Sequence, residues 1–143
     1  MALKERQRQL RVVGEILTVH IPQFMDSDPD LVKDLLSVVG TALSNIHEDA
    51  EASADAWDKR AYHVRADRLR REWEWALPAS NYALGLALRP HPVTPLHIQR
   101  LKQLIRPGVE KPARRQITDP MRFRGAAQAI RRQQARKRKP IRG

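Results

Sequence analysis

The sequence of 143 residues lacks cysteine and any long apolar run, and its six glycines all stand singly. Without cysteine the chain has no disulfide, no thiolate zinc site and no cysteine nucleophile. The longest apolar run, residues 83–88, is far shorter than the roughly 20 residues that span a bilayer. The first residues mix acids with arginines, whereas a secretory signal would be apolar and a transit peptide would avoid acids. We therefore predict a soluble, cytoplasmic protein.

Signatures of catalysis are missing as well. The sequence contains no Gly-rich phosphate loop, no Gly-x-Ser-x-Gly nucleophile elbow and no His-Glu-x-x-His zinc motif. His47 with Glu51, and His63 with Asp67, place an imidazole and a carboxylate one helical turn apart, but no third ligand has a suitable spacing. We expect a protein that is not an enzyme and has no metal site, no cofactor and no small-molecule substrate.

What the sequence does contain is an uneven distribution of charge. Residues 111–143 carry twelve Lys and Arg residues and a single acid, Asp119, so this segment has the whole net charge of +11. Residues 1–110 sum to zero. The pattern predicts a helical body over residues 1–110 and a basic C-terminal arm over residues 111–143. A cationic segment on a neutral body favours a polyanionic partner, most often nucleic acid.

Three dipeptides mark helix starts by joining a capping side chain to a proline: Asp28-Pro29, Thr94-Pro95 and Asp119-Pro120. After the first, branched apolar residues recur at helical spacing as far as Ile46. Neither proline nor glycine occurs between Thr41 and Leu77. We therefore predict one long helix over residues 29–77, continuous or gently kinked, as the centre of the core. A bend near Ser53 is the alternative, and the sequence leaves open whether the segment is one helix or two.

The other segments also have helical periodicity. Residues 3–20 predict a first helix that stops before Pro22, and residues 121–137 predict a last one. Gly40 lies in the apolar stripe of the long helix, where it would let another helix approach closely. No stretch alternates apolar and polar residues as a strand does. The expected fold is all-α: a small helical bundle built on a long central helix, with a basic C-terminal helical arm.

The arm supplies most of the candidate binding residues. Phe123 and Ile130 lie on one narrow face of the predicted last helix and could dock it, which leaves arginines on the other faces. A guanidinium grips phosphate with two parallel donors, and such contacts neutralise the backbone without reading bases. The alternative is a solvated, disordered cationic end. The candidates are Arg114, Arg115, Arg122, Arg124, Arg131, Arg132, Arg136, Lys137, Arg138 and Lys139.

A second basic patch, residues 59–75, adds Arg68, Arg71 and Trp75. On a continuous helix Trp73 and Trp75 point about 200° apart, so we expect Trp73 to be buried and Trp75 to be exposed. An exposed ring could stack on a base or lie beneath Arg71. The alternative is an interface or core tryptophan flanked by solubilising charge. The acidic residues 48–58 are interpreted as a solvated helical face, with a cation, a basic partner or the chain's own tail as other occupants.

These features predict a non-catalytic nucleic-acid-binding subunit of a larger ribonucleoprotein or protein–DNA assembly. It would hold RNA or DNA backbone without sequence readout and pack against other protein subunits. In size, charge and helix content the chain resembles the small helical subunits of RNA-guided CRISPR effector complexes and ribosome-associated proteins, although no motif is specific to either. The first resemblance implies a role in stabilising a guide–target duplex or a displaced strand.

The rival hypothesis is a protein–protein adaptor. In that case the helix over residues 29–77 would form a bundle or homodimer, and the basic tail would serve localisation or dock on an acidic partner. Binding to a membrane surface is a third possibility, but Phe123 and Ile130 form too thin an apolar face for it. The sequence leaves DNA and RNA, and single and double strands, equally open.

Overall fold

The computed structural model describes residues 2–138 of the chain, which form an all-α fold without a strand over that range. The helices are α1 (Ala2–Glu15), a π-helical turn (Ile16–His20), α2 (Ile21–Phe24), α3 (Pro29–Lys59), α4 (His63–Trp73), α5 (Ala76–Leu88), α6 (Pro95–Leu104), a 3-10 turn (Pro120–Phe123) and α7 (Ala126–Arg138). The all-α class and the long central helix are confirmed.

Helix α3 is the centre of the core, and α1, α4, α5 and α7 all pack against it. The Asp28 carboxylate caps it by accepting a hydrogen bond from the Leu31 amide at 3.1 Å. Its buried residues include Leu31, Leu35, Leu36, Val39, Leu43 and Ile46. The second predicted helix start is also confirmed, since Thr94 accepts from the His97 amide and opens α6.

The prediction of one helix over residues 29–77 is wrong, because α3 ends at Lys59 and α4 folds back along it. The reversal occurs at Ala61, whose φ of 64° is left-handed although it is not a glycine. That conformation costs roughly 1–2 kcal/mol. Burial of Ala54 and Ala66 between the packed helices, together with ion pairs of Arg70, offsets this cost. The sequence has no glycine or proline near Ala61 that would predict the reversal.

The first helix also extends past its predicted end near His20. A π-helical turn over Ile16–His20 connects α1 to α2, and the Ile21 amide donates to the Ile16 carbonyl. Pro22 then falls in the first turn of α2. Because the wide π turn already breaks the regular hydrogen-bond ladder, the missing N–H of the proline interrupts nothing.

Helix α5 approaches α3 closely at Gly40, as predicted. A Cβ atom there would lie 2.5 Å from Leu84 Cγ. The Ser80 hydroxyl donates to the Gly40 carbonyl at 2.7 Å, across the same crossing. Helix α5 contributes a stripe of small buried residues to this contact: Ala76, Ala79, Ala83 and Ala87.

We expect G40A to destabilise the protein by about 1 kcal/mol, although alanine favours a helix by roughly the same amount. Overpacking against Leu84 costs about 1–3 kcal/mol and outweighs the gain. The matched control is G85A in α5, where the nearest outside atom, Arg89 Cζ, is 3.8 Å from the added Cβ. Urea unfolding should show G85A at or above the wild-type stability, and equal stabilisation by both substitutions would contradict the close crossing.

Candidate nucleic-acid interface

The last helix begins later than predicted, and a carboxylate from the body fixes its start. Asp119 accepts from the Met121 amide at 3.0 Å, but the chain forms only a 3-10 turn before Gly125, whose φ is 90°. The buried Asp34 carboxylate on α3 then accepts from the amides of Gly125 and Ala127 at 2.9 and 3.0 Å. Since negative charge is favourable at a helix N-terminus, Asp34 caps α7 from a neighbouring helix.

Two arginines of the predicted arm bind groups of the protein itself. Arg124 donates to both carboxylate oxygens of Asp28, at 2.5 and 3.4 Å. This hydrogen bond, and then that from the Leu31 amide, lowers the pKa of Asp28. Arg131 donates to the carbonyls of Ala87 and Leu88 at the C-terminal end of α5. Both guanidinium groups therefore help to hold the C-terminal segment on the body.

A third carboxylate, Glu15, secures the connection between α6 and α7. Its side chain is fully buried and accepts from the amides of Gln116 and Ile117 at 2.5 and 3.0 Å. His20 Nε2 lies 2.7 Å from the same carboxylate. Burial raises the pKa of Glu15, but hydrogen bonds from His20 and the two amides outweigh it and lower the pKa overall. Glu15 therefore holds residues 116–117 against the π-helical turn.

With its start fixed, α7 presents its remaining basic residues to solvent. Ala127 is buried and Ile130 and Gln134 are half-buried, so these three define the inner face. At 100° per residue, Arg132 and Arg136 lie on the opposite face, one turn apart. Both are exposed, and neither has a carboxylate within salt-bridge distance among residues 2–138. They form the outward face of α7.

The other predicted arm residues are distributed around this face. Arg114, Arg115, Arg122, Lys137 and Arg138 are exposed. The Arg122 guanidinium lies over the Phe123 ring, 5.1 Å from its centroid. Lys139 lies outside the described residues. The division of the chain at residue 110 stays a prediction, although residues 116–127 make specific contacts with α1 and α3.

The prediction of an exposed Trp75 is wrong. Trp73 and Trp75 are each 6% exposed, and their ring centroids are 6.0 Å apart. Helix α4 ends at Trp73, so the rotation of 100° per residue does not extend to Trp75. Trp75 Nε1 donates to the Glu72 carbonyl at 3.0 Å, and its ring is unavailable to a base. The alternative interpretation of a core tryptophan is therefore correct.

Arg68 and Arg71, the two arginines predicted beside it, are exposed on α4. The Arg71 backbone carbonyl accepts from Arg106 at 2.9 Å, and the guanidinium of Arg71 does not lie over Trp75. The cation over this tryptophan pair comes instead from Arg6, 5.1 Å from the Trp73 ring and 2.6 Å from Asp49. The side chain of Arg6 is only 6% exposed.

Several acidic residues of α3 form ion pairs with arginines of neighbouring helices. Arg70 on α4 lies 2.7 Å from Asp58, 2.9 Å from Asp55 and 3.4 Å from Glu51. The hydrogen bonds that Arg70 donates to Asp58 and Asp55 raise the pKa of Arg70. The spacing of these acids, four and then three residues apart, places them on one helical face. This spacing could have indicated a cationic neighbour from the sequence, and in the structure that neighbour is Arg70 of α4.

None of the described helices has the length and apolarity needed to cross a membrane. Comparison of the chain with protein-family models, with curated proteins and with solved structures finds no match. The candidate interface is therefore assigned from the geometry and charge of its residues alone.

Proposed function

We propose that this chain is a non-catalytic nucleic-acid-binding subunit of a larger ribonucleoprotein or protein–DNA assembly. It would grip the phosphate backbone without reading the base sequence. The observation that carries the proposal is the outward face of α7, where Arg132 and Arg136 stand exposed on a helix whose N-terminal end is bound by Asp34.

Anchoring matters for affinity because a flexible tail must lose conformational entropy when it binds. Here Asp34, Asp28 and Glu15 bind the segment that leads into α7, so its first turns already have a defined position. Arginine suits the proposed task, since its planar guanidinium matches phosphate with paired donors and stays charged. Cations spread over several sides of one helix favour backbone contacts over base recognition.

The test is binding of the intact chain to fluorescein-labelled DNA and RNA, each as a duplex and as a single strand. We expect binding to all four in dilute salt, with affinity falling steeply between about 50 and 200 mM salt. Poly-glutamate serves as the matched anionic polypeptide. Absence of nucleic-acid binding at about 50 mM salt would overturn the proposal. Tighter binding to poly-glutamate than to either nucleic acid would favour the adaptor hypothesis.

A further inference from the structure

The turn between α3 and α4 combines aromatic rings with arginines that have no acidic partner among residues 2–138. We call this feature the α3–α4 tip and define it by Trp57, Arg60, Tyr62, Arg65 and Arg68. Together with Ala61, His63 and Val64, these residues line an open cleft of about 920 Å³. We propose that the α3–α4 tip binds single-stranded nucleic acid, with an unstacked base on the Tyr62 ring and the adjoining phosphate at Arg65 and Arg68. This inference rests on the proposed function and adds a strand preference to it.

The aromatic part of the tip is exposed and yet held in place. Tyr62 is 54% exposed, and its ring meets Trp57 edge to face with centroids 5.6 Å apart. The Tyr62 amide donates to the Trp57 carbonyl at 2.9 Å, which fixes the backbone on which the ring stands. Neighbouring Val64 is 75% exposed. An exposed aromatic ring on a fixed backbone is the arrangement that proteins use as a stacking platform for nucleotides.

The acids nearest the tip pair with Arg70 and His63 and not with the arginines of the tip. Asp58 lies 2.9 Å from His63 and 2.7 Å from Arg70, and these hydrogen bonds lower its pKa. Arg60, Arg65 and Arg68 have no carboxylate within 4.0 Å in the described part of the chain. Arg65 and Arg60 lie over the Trp57 ring, 4.7 and 5.7 Å from its centroid. Their guanidinium groups thus lie on Trp57, whose ring meets that of Tyr62 edge to face, and a base on Tyr62 would bring its phosphate toward them.

A single strand fits this site better than a duplex does. In a duplex the faces of the bases are stacked on one another, so Tyr62 could stack only on an end or on an unpaired base. The tip is also far from the start of α7. Asp34 and Lys59 are 25 positions apart on α3, which is about 38 Å at 1.5 Å per residue. The tip and α7 also share no residue, so substitutions can be made in each one separately.

The test compares Y62A and Y62F in the full chain, using fluorescein-labelled oligo(dT) and a blunt-ended duplex of equal length. Loss of stacking should weaken binding of Y62A to oligo(dT) by about 10-fold. Y62F keeps the ring and should match the wild type, and both variants should bind the duplex normally. The R65Q/R68Q variant should also lose affinity for oligo(dT). Since Tyr62 is largely exposed, the unfolding midpoint of Y62A should equal that of the wild type, and this is measured first.

Wild-type affinity of Y62A for oligo(dT) would overturn the inference, and so would equal losses in Y62A and Y62F. If oligo(dT) binding depends instead on Arg132 and Arg136 alone, the tip inference fails while the proposed function stands. If oligo(dT) binding depends on Tyr62 but R132Q/R136Q binds duplex normally, the α7 interface fails while the tip stands. Displacement of oligo(dT) from the tip by an equal charge of poly-glutamate would assign the site to an acidic protein.

Discussion

The R132Q/R136Q variant is expected to bind duplex nucleic acid about 50-fold more weakly than the wild type at about 0.1 M salt. Each phosphate contact on a duplex contributes roughly −0.9 to the slope of log K against log salt concentration. Loss of two contacts should therefore make the slope shallower by about 2. The measurement is a fluorescence-anisotropy titration repeated over a salt series, which reports affinity and slope together.

The matched control for this variant is R11Q/R100Q, which removes the same charge from two exposed arginines of the body. If net charge alone attracted the nucleic acid, both variants would weaken binding equally. We expect the control to keep the wild-type slope, because its arginines lie on α1 and α6 and not on α7. Equal slopes for R132Q/R136Q and the wild type would contradict the assignment of phosphate contacts to α7.

The E15A substitution is expected to lower the free energy of unfolding by about 3–5 kcal/mol. It leaves the buried amide of Ile117 and the partly buried amide of Gln116 without an acceptor, and it removes the partner of the buried His20. Unpaired buried polar groups each cost about 1–3 kcal/mol, and the cavity left by the side chain adds to this. Chemical denaturation monitored by circular dichroism measures the change.

The control for E15A is E5A, which removes a carboxylate from the same helix. Glu5 pairs with Arg8 at 2.6 Å, but both side chains are half exposed. That hydrogen bond lowers the pKa of Glu5 to about 2, so the pair is ionised at neutral pH. We expect E5A to unfold at the wild-type denaturant midpoint, because water replaces the lost contact. A wild-type midpoint for E15A as well would show that residues 116–117 are not held by Glu15.

Local signals in the sequence predicted the helix class and several helix starts correctly. The caps at Asp28 and Thr94 and the close approach at Gly40 each depend on one residue and its neighbours, and all three are confirmed. The signals failed where tertiary contacts decide. Ala61 adopts a left-handed backbone conformation, which an alanine in the sequence does not predict. This conformation turns the predicted long helix back on itself.

The same difference between local signals and tertiary contacts applies to the candidate interface. Composition alone located the cationic segment, but not the way in which it is held. The carboxylates of Asp34 and Glu15 are about 90 and 100 positions away from the amides that they bind. No local pattern reports such pairings. For the same reason Arg124 and Arg131, which look like their neighbours in sequence, differ from Arg132 in binding protein groups.

The most direct test of the central claim, that the outward face of α7 neutralises phosphates, is NMR of the isotope-labelled chain titrated with a short duplex. Perturbations of the arginine Nε–Hε signals identify the guanidinium groups that meet phosphate. We predict the largest changes at Arg132 and Arg136 and the smallest at Arg6 and Arg70, which are paired within the bundle. Binding of the duplex without perturbation of Arg132 and Arg136 would contradict the claim.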